Sequence, residues 1–410
     1  MKNHKFSSFS FQVCLMVLVG LLLTNIQAKA EVEADFTVGQ LDYKILSIED
    51  MTVEVVFCNN RNVVSIEVPR TISFENKEYK VIGIGDYAFR NDQFLKEVNL
   101  NEGLLYIGSA AFMYCVSLEE ITVPNTVEQI GSFCFTCCTS LTTVELPPNL
   151  KEIPSSCFRD CDLLSSINIP PSVKLINELA FTHCHSLTSI ELPPDVEISG
   201  DAFSSCASLT EIILNDNPNY CFEDGFLYSK DKSVLVTGLE SIGEEVVIKD
   251  CVKVIGVGAF VWNLKLKTVV IPESVVSIRK DAFGNVDYLK TVVCYAVVPP
   301  ECDTFAFWSD LYFMESDKFP EAVFVPDESV EKYKETKPWR GRHIYPISQL
   351  SGVEDIREMP LRDDHFTVYT LDGRMVMQAN EGVSLKSLPE GIYIVNGKKV
   401  LIRKLKVDYK

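Results

Sequence analysis

The first residues that could do chemistry are His183-Cys184-His185, a thiol flanked by two imidazoles. Cys and His are the usual ligands of zinc, and a thiol beside an imidazole is also the arrangement of a cysteine nucleophile. Cys184 belongs, however, to a regularly spaced series of cysteines. We therefore expect Cys184 to point into the protein and its two neighbours to point outward and apart, and we predict no metal site here.

Cys137-Cys138 is the second candidate, because a thiol with a lowered pKa is a nucleophile. Cys138 falls on the same series as Cys184, whereas Cys137 falls in a turn where the repeat supplies no histidine. The chain contains no G-x-S-x-G, H-E-x-x-H, phosphate-loop or dinucleotide-binding motif. Adjacent acids such as Glu119-Glu120 are typical of a solvated surface. The sequence predicts no enzyme, no catalytic residue, no metal and no cofactor.

The regularly spaced cysteines are one part of a longer repeat. Phenylalanines recur at intervals of 22 or 23 residues and resume after one interruption: Phe89, Phe112, Phe135, Phe158, Phe181, Phe203, Phe260 and Phe283. Each lies in the same frame, one copy of which is Leu118, Ile121, Val123, Pro124, Val127, Ile130, Cys134, Phe135 and Cys138. A single unit of this length cannot bury its apolar residues, so the repeat predicts a solenoid of stacked coils.

Each copy of the frame also predicts its own local structure. Ile121-Thr122-Val123 alternates apolar and polar residues, as a short strand with one buried face does. Pro124 ends that strand because it has no N–H group to donate. The stretch from Gly131 to Phe135 predicts a turn or a single helical turn. We therefore expect a β-dominated solenoid with short helical turns.

Stacking of coils accounts for seven of the thirteen cysteines that follow the predicted signal, and two of these, Cys134 and Cys157, fill the small position before a frame phenylalanine. Five of them lie three residues after a frame phenylalanine: Cys115, Cys138, Cys161, Cys184 and Cys206. Neighbouring strands lie about 4.8 Å apart, whereas the Cβ atoms of a disulfide prefer about 3.8 Å, so we expect buried free thiols in place of disulfides or metal ligands. Four others fall outside the series, and one disulfide among them is an open alternative: Cys221, Cys251, Cys294 and Cys302.

The chain divides into segments of different composition. Residues 1–30 predict a secretory signal, with a basic start, an apolar run and small residues before position 31. Cys14 lies at the start of that run, so we expect no lipid on it. The remaining segments are an N-terminal β cap (31–78), the solenoid (79–347), a linker (348–365) and a small C-terminal β module (366–410). Within the solenoid we predict a hairpin insertion at about 216–244 and a closing piece at 304–347.

The overall charge excludes some partners. The formal net charge is −19 and the sequence pI is near 4.8. Nucleic-acid binding needs clustered Lys and Arg, which the chain lacks, and an acidic protein is repelled by anionic membrane surfaces. No stretch after the signal is long and apolar enough to predict a transmembrane span.

The outward positions of the predicted strands form a lane of candidate ligand-facing residues. If Ile121 and Val123 point inward, Glu120 and Thr122 point outward. The equivalent positions give the full lane: Glu97, Asn99, Glu120, Thr122, Thr143, Glu145, Ser166, Asn168, Ser189, Glu191, Glu211, Ile213, Val270 and Val293. The apolar end of the lane indicates either a contact surface for a partner or a site covered by the hairpin or the closing piece.

The frame Leu-x-x-Ile-x-Leu-Pro…Val-x-x-Ile-x-x-x-Ala-Phe-x-x-Cys resembles the BspA-like leucine-rich repeats of bacterial surface proteins over residues 79–297. Residues 224–231 look like that family's common hairpin. The resemblance implies a leucine-rich-repeat solenoid and a surface antigen or adhesin, often one that binds host proteins. Residues 371–374 and 388–395 resemble the C-terminal sorting module of the type IX secretion route. A related β module kept as a structural end piece is the alternative.

The sequence thus favours an exported protein, at the outer cell surface or outside the cell, that binds a macromolecule through the lane. The expected ligand is a protein or glycan, and host extracellular matrix is included. The alternative is a structural spacer or display scaffold that binds nothing itself. An enzyme is the third hypothesis, for which residues in catalytic roles are missing. Saturable binding that is lost on mutation of the lane would separate the first hypothesis from the second.

Overall fold

The computed structural model describes residues 33–303, 305–308, 320–337 and 339–350, and the backbone of five further strands between 354 and 402. The chain winds into stacked coils of short parallel strands, which confirms the predicted leucine-rich-repeat solenoid. The predicted signal, residues 1–30, lies outside the described residues, as does most of the predicted linker.

A cap and a first stack of coils make up the N-terminal half. Their strands are β1 (Phe36–Val38), β2 (Leu41–Ser47), β3 (Thr52–Cys58), β4 (Ser65–Glu67), β5 (Thr71–Phe74), β6 (Lys77–Ile84), β7 (Glu97–Asn99), β8 (Tyr106–Ile107), β9 (Glu120–Thr122), β10 (Gln129–Ile130), β11 (Thr143–Glu145), β12 (Glu152–Ile153), β13 (Leu175–Ile176), β14 (Ser189–Glu191), β15 (Glu197–Ile198) and β16 (Glu211–Ile213). The antiparallel strands β1–β3 cover one end of the stack.

Two parallel ladders run along this first stack. The front ladder pairs β4 with β7, β9 with β11, and β14 with β16, each in the register that the repeat dictates. The back ladder joins β6, β8 and β10, and then β12, β13 and β15. Since β4 already belongs to the front ladder, the solenoid begins inside the segment that we predicted as a cap, 31–78.

The third side of each coil is the turn that carries the frame phenylalanine. Phe133 and Cys137, two residues before and two after Phe135, adopt left-handed φ angles of 60° and 61°. In this conformation the N–H groups of Phe133, Phe135 and Cys137 donate to carbonyl oxygens of the next coil, over 3.0, 2.9 and 2.8 Å respectively. A third hydrogen-bond ladder therefore forms without a strand or a helix.

The phenylalanine rings fill the middle of each stack. From Phe89 to Phe203 the successive rings lie nearly parallel, with centroids 5.1–5.6 Å apart. Their burial removes large apolar surfaces from water, which is the main force that holds the coils together. In the described part of the chain the single α-helix lies in the closing piece, so the frame turns are not helical.

A hairpin insertion separates the first stack from the second. Its strands are β17 (Tyr220–Glu223), β18 (Phe226–Ser229) and β19 (Val234–Gly238), which pair antiparallel in that order. The turn between β18 and β19 covers residues 230–233. β19 then pairs with the first back strand of the second stack, so the insertion replaces one coil of the back ladder.

The second stack continues the same fold to the closing piece. Its elements are β20 (Glu245–Val247), β21 (Val254–Ile255), β22 (Thr268–Ile271), β23 (Ser277–Ile278), β24 (Thr291–Cys294), β25 (Glu301–Cys302), β26 (Ala322–Val325), helix α1 (Val330–Glu335) and β27 (Ile344–Pro346). Trp339 is fully buried at the end and donates its indole N–H to Pro300 O over 3.0 Å. The core is divided into one apolar cluster in each stack.

The C-terminal module is described by its backbone alone. Its strands are β28 (Glu354–Asp355), β29 (Phe366–Thr370), β30 (Met375–Ala379), β31 (Gly391–Val395) and β32 (Lys398–Ile402). They form one sheet in the order β28, β32, β31, β29, β30. β31 and β32 pair antiparallel, with Val395 beside Lys398.

Candidate functional site

The candidate site is the front face of the first stack, formed by the outward side chains of β4, β7, β9, β11, β14, β16 and residues 166–168. In each strand the central residue is buried, and in all but β16 both of its neighbours are exposed, as Ile121 is between Glu120 and Thr122. The parallel register places Thr143 beside Glu120 and Glu145 beside Thr122. Equivalent side chains therefore lie in rows along the stack.

Most of the predicted lane is exposed on this face. The exposed members are Glu97, Asn99, Glu120, Thr122, Thr143, Glu145, Ser166, Asn168, Ser189, Glu191 and Glu211, and Ile213 is half-buried. Ser166 and Asn168 lie on a segment without a regular strand, between β11 and β14. The prediction missed Glu67, which the register places beside Asn99. The alternation around Ile66 in the sequence was a sufficient signal for it.

Val270 and Val293 do not belong to the accessible lane, which corrects their inclusion among the ligand-facing residues. Their side chains are only 7% and 1% exposed. Ile347 and Leu350, which follow β27, pack on them together with partly buried residues of neighbouring strands. The closing piece therefore extends to residue 350, and the predicted linker does not begin at 348. Of the two alternatives for these valines, the structure shows the covered one.

A shallow groove of 150 Å³ lies where the front face passes from β7 to β9. Its polar lining consists of four predicted lane residues together with one further acid: Glu97, Asn99, Glu120, Thr122 and Glu102. The Asn99 side-chain amide donates to Glu97 over 3.2 Å, and the Thr122 hydroxyl donates to Glu145 over 3.4 Å. These bonds orient carboxylates of neighbouring coils along the groove.

The front face is strongly acidic. Six of its outward side chains are exposed carboxylates: Glu67, Glu97, Glu120, Glu145, Glu191 and Glu211. Within the residues that the structure describes, no Lys or Arg forms an ion pair with any of them; the nearest such pair, Lys96 with Glu119, lies at the edge of the face. The face thus offers hydrogen-bond acceptors and negative charge to a ligand.

The cysteine series is structural, as expected. Each thiol donates to the carbonyl of the frame phenylalanine one coil earlier, for example Cys138 to Phe112 O and Cys161 to Phe135 O, both over 3.2 Å. Burial raises the pKa of these thiols, that of Cys206 to about 12, so they are poor nucleophiles. Cys221, Cys251, Cys294 and Cys302, for which one disulfide was the open alternative, are free thiols.

The sequence profile of the BspA type leucine rich repeat region matches the chain with six copies, at residues 54–184, 151–253 and 253–310. These stretches span more than half of the protein. The chain belongs to the BspA-type leucine-rich repeat family. The comparison with curated proteins gave no match.

Solved structures of bacterial leucine-rich repeat proteins are similar to this BspA-type chain. A leucine rich cell surface protein of Faecalibacterium prausnitzii A2-165 is 24% identical, with 77% of this chain and 95% of that chain covered and a TM-score of 0.53, so the two share a fold. The pneumococcal vaccine antigen PcpA is 16% identical, over 76% and 98% of the two chains, with a TM-score of 0.45. A leucine rich repeat protein of T. pallidum is 26% identical, over 43% and 81%, with a TM-score of 0.40.

The BspA-type frame also brings together two side chains that were predicted to point away from each other. His183 and His185 meet edge to face, with ring centroids 5.7 Å apart, so the expectation that they point apart was wrong. His183 Nδ1 lies 2.7 Å from Asp160 Oδ1. Burial acts to raise the pKa of Asp160, but the hydrogen bond and charge of His183 outweigh it, and that pKa is lowered.

This cluster continues to the thiol of Cys137, which lies 3.6 Å from Asp160 Oδ2. Cys137, Asp160 and His183 hold one frame position in three successive coils, so the carboxylate stands between the thiol and the imidazole. That order prevents His183 from taking the thiol proton directly, as a nucleophile needs. The described residues contain no group of three ligands arranged for a metal ion. None of their helices has the length and hydropathy needed to cross a bilayer.

Proposed function

We propose that this BspA-type protein is exported and binds another macromolecule through the front face of the first stack. The observation that carries the proposal is a difference between the stacks. The first stack leaves its front face exposed over six strands, whereas the chain covers the equivalent face of the second stack with Ile347 and Leu350. A polar face that the described part of the chain leaves uncovered is available to a partner.

The chemistry of the front face indicates the kind of ligand. Its carboxylates, hydroxyls and amides suit a partner that presents Lys or Arg side chains or many hydroxyl groups, in a protein or a glycan. The acidic groove beside Asn99 and Thr122 offers a place for one such group. Host extracellular matrix proteins and glycans are therefore the first ligands to test.

The test is binding of residues 31–410 to an array of matrix proteins and glycans. A front-face variant changes Thr143, Glu145, Asn168 and Glu191 to Lys, which reverses the charge in the middle of the face. Its control variant changes Glu128, Glu152 and Glu273 to Lys; these exposed residues lie off the front face and alter the net charge equally. We expect at least one specific ligand whose binding the front-face variant loses and the control keeps.

Other outcomes contradict the proposal in different ways. Equal loss in both variants would mean that overall charge, and not the front face, attracts the ligand. An array without a specific ligand would favour the alternative of a structural spacer or display scaffold. Export itself is tested separately, by the mass of the protein recovered outside the cells. We expect cleavage after Ala30, and the same measurement tells whether residues 366–410 are retained or removed.

A further inference from the structure

The hairpin insertion opens a cleft on the back of the solenoid, away from the front face. The back ladder of the first stack ends at β15, which pairs with β13 alone. β17 is the outer strand of the next sheet and does not pair with β15. Two residues after β15, the carbonyl oxygens of Val236 and Val257 approach Gly200 so closely that a Cβ atom would not fit there, so segments beyond β17 contact the first stack at this point.

The resulting cleft has a volume of 620 Å³ and is lined mainly by polar side chains. Ser155, Asn177, Glu178 and Glu197 form the wall that belongs to the first stack, and Asn219 and Tyr220 form the wall that belongs to the insertion. Leu175 and Ile198 are the aliphatic residues of the cleft lining. A cleft of this size accommodates two or three rings of a sugar chain.

The polar groups of the cleft are fixed by bonds that leave other atoms available. The Tyr220 hydroxyl accepts the Ile198 N–H over 3.3 Å, so its own proton can be donated into the cleft. The Asn177 side-chain amide N–H groups donate to Glu152 and to Ile153 O, both over 3.1 Å. The side-chain carbonyl oxygen of Asn177 takes part in neither bond and can accept from a ligand. Glu178 and Glu197 form no ion pair with the described Lys and Arg residues. The cleft thus presents fixed acceptors and at least one fixed donor.

We infer that this cleft binds a neutral oligosaccharide, independently of the front face. A sugar hydroxyl both donates and accepts hydrogen bonds. It can donate to the carboxylates or to the amide oxygen of Asn177, and it can accept from the Tyr220 hydroxyl on the opposite wall. The ring of Tyr220 gives an apolar surface for the C–H face of a sugar ring. When a neutral ligand binds, Glu178 and Glu197 keep contact with water at the open side of the cleft, so their charges remain solvated.

A peptide fits the same cleft less well. An extended peptide binds by adding a strand to a free edge, but the edge at β15 is only two residues long and Tyr220 already occupies its Ile198 N–H. The cleft has no deep apolar recess for a side chain, and its carboxylates repel an anionic ligand. Lysine-rich peptides are therefore the alternative that the experiment must exclude.

The experiment measures binding of linear tetrasaccharides of glucose, mannose and N-acetylglucosamine to the full chain by saturation-transfer NMR and calorimetry. We expect one of them to bind, and Glu197→Ala and Tyr220→Phe each to weaken it about tenfold through one lost hydrogen bond. Glu128→Ala is the control, since Glu128 is an exposed carboxylate next to the back strand β10 and does not line the cleft. Because the ligand is neutral, affinity should change less than about twofold between low and high salt.

Three results would overturn the inference. One is that no tetrasaccharide of the panel binds, and another is that Glu197→Ala and Tyr220→Phe bind as well as the control. The third is that tetralysine competes for the cleft with a steep salt dependence, which would identify a basic peptide site. The front-face variant should bind the sugar normally, so failure of the front-face proposal and failure of this one are distinguishable.

Discussion

The two stacks share one repeat frame but differ in what their front strands present outward. In the first stack Asn168 is exposed, whereas Val293 at the same frame position in the second stack is only 1% exposed. The valine lies beneath Ile347 and Leu350, which the chain adds after its last front strand. An outward apolar residue therefore marks where this solenoid covers itself, and an outward polar residue marks what it leaves to solution.

The stacks also differ at the interior position that follows the phenylalanine by three residues. The first stack holds thiols there, each bonded to a carbonyl of the preceding coil, whereas the second holds Asn263 and Val286. The first coil has Asp92 instead, an acid that is buried and paired with Arg61 over 2.7 Å. The position thus accepts a polar group where that group is hydrogen-bonded, and an apolar group otherwise.

The largest difference in stability between the two stacks should come from placing the same negative charge on the front face of each. Val293→Asp buries an unpaired carboxylate beneath Ile347 and should cost about 3–5 kcal/mol of the free energy of unfolding. Asn168→Asp puts the same carboxylate on the exposed face and should change that free energy by less than about 0.5 kcal/mol. All three tryptophans, Trp262, Trp308 and Trp339, lie in the second stack, so denaturant titration followed by their fluorescence reports on that stack.

Similar costs for the two substitutions would refute this account of the difference between the stacks. If Val293→Asp were harmless, Ile347 and Leu350 would leave the face readily, and Val293 would return to the accessible lane. If Asn168→Asp were costly, the carboxylates of the first stack would already repel one another strongly. High salt would then restore the stability of that variant.

The repeat could be recognised in the sequence because each repeat of 22 or 23 residues forms one coil of the solenoid. Once Phe112, Phe135 and Phe158 are aligned, the inward and outward residues follow from strand alternation, and the thiol positions follow from stacking. The same alignment contained the line of Cys137, Asp160 and His183, which was not recognised. Equal spacing of these three in the sequence was the available signal.

The covered face and the cleft could not be derived in this way. Contact between Val293 and Leu350 joins a frame position to a segment with no repeat, so no periodicity predicts it. The cleft depends on β17 lying beside β15 without pairing with it, which the hairpin sequence alone does not determine. Interactions between periodic and non-periodic segments are set by tertiary packing, and there the sequence pattern gives alternatives only.

A smaller effect is expected from the interior thiol ladder. Cys161→Ala removes the donor to Phe135 O and leaves a small void in a fully buried position, which should cost about 1–2 kcal/mol. The reverse exchange in the second stack, Val286→Cys, should stay within about 1 kcal/mol, because the new thiol can donate to the carbonyl of the preceding coil. Far-UV circular dichroism during denaturant unfolding measures both variants. An equal or larger loss from Val286→Cys would show that packing, and not the thiol hydrogen bond, determines the residue at this position.

The smallest effect concerns pH and the first coil of the ladder. Burial raises the pKa of Asp92 to about 6, although the charge and hydrogen bond of Arg61 act to lower it. A carboxyl whose pKa is higher when folded binds a proton more tightly in the folded state, so its contribution to stability grows as pH falls through 6 and is lost as pH rises. Between about pH 7 and pH 5 this should stabilise the protein by about 1 kcal/mol relative to Asp92→Asn.

The difference between the two unfolding curves isolates this residue from other groups that titrate in the same range. Asp160 does not contribute there, because its lowered pKa confines its effect to pH values below about 4, where protonation removes the stabilising pair with His183. A difference that stays constant from pH 7 to pH 5 would mean that Arg61 keeps Asp92 ionised throughout. The first coil would then carry a permanent ion pair at the position where the following coils carry neutral thiols.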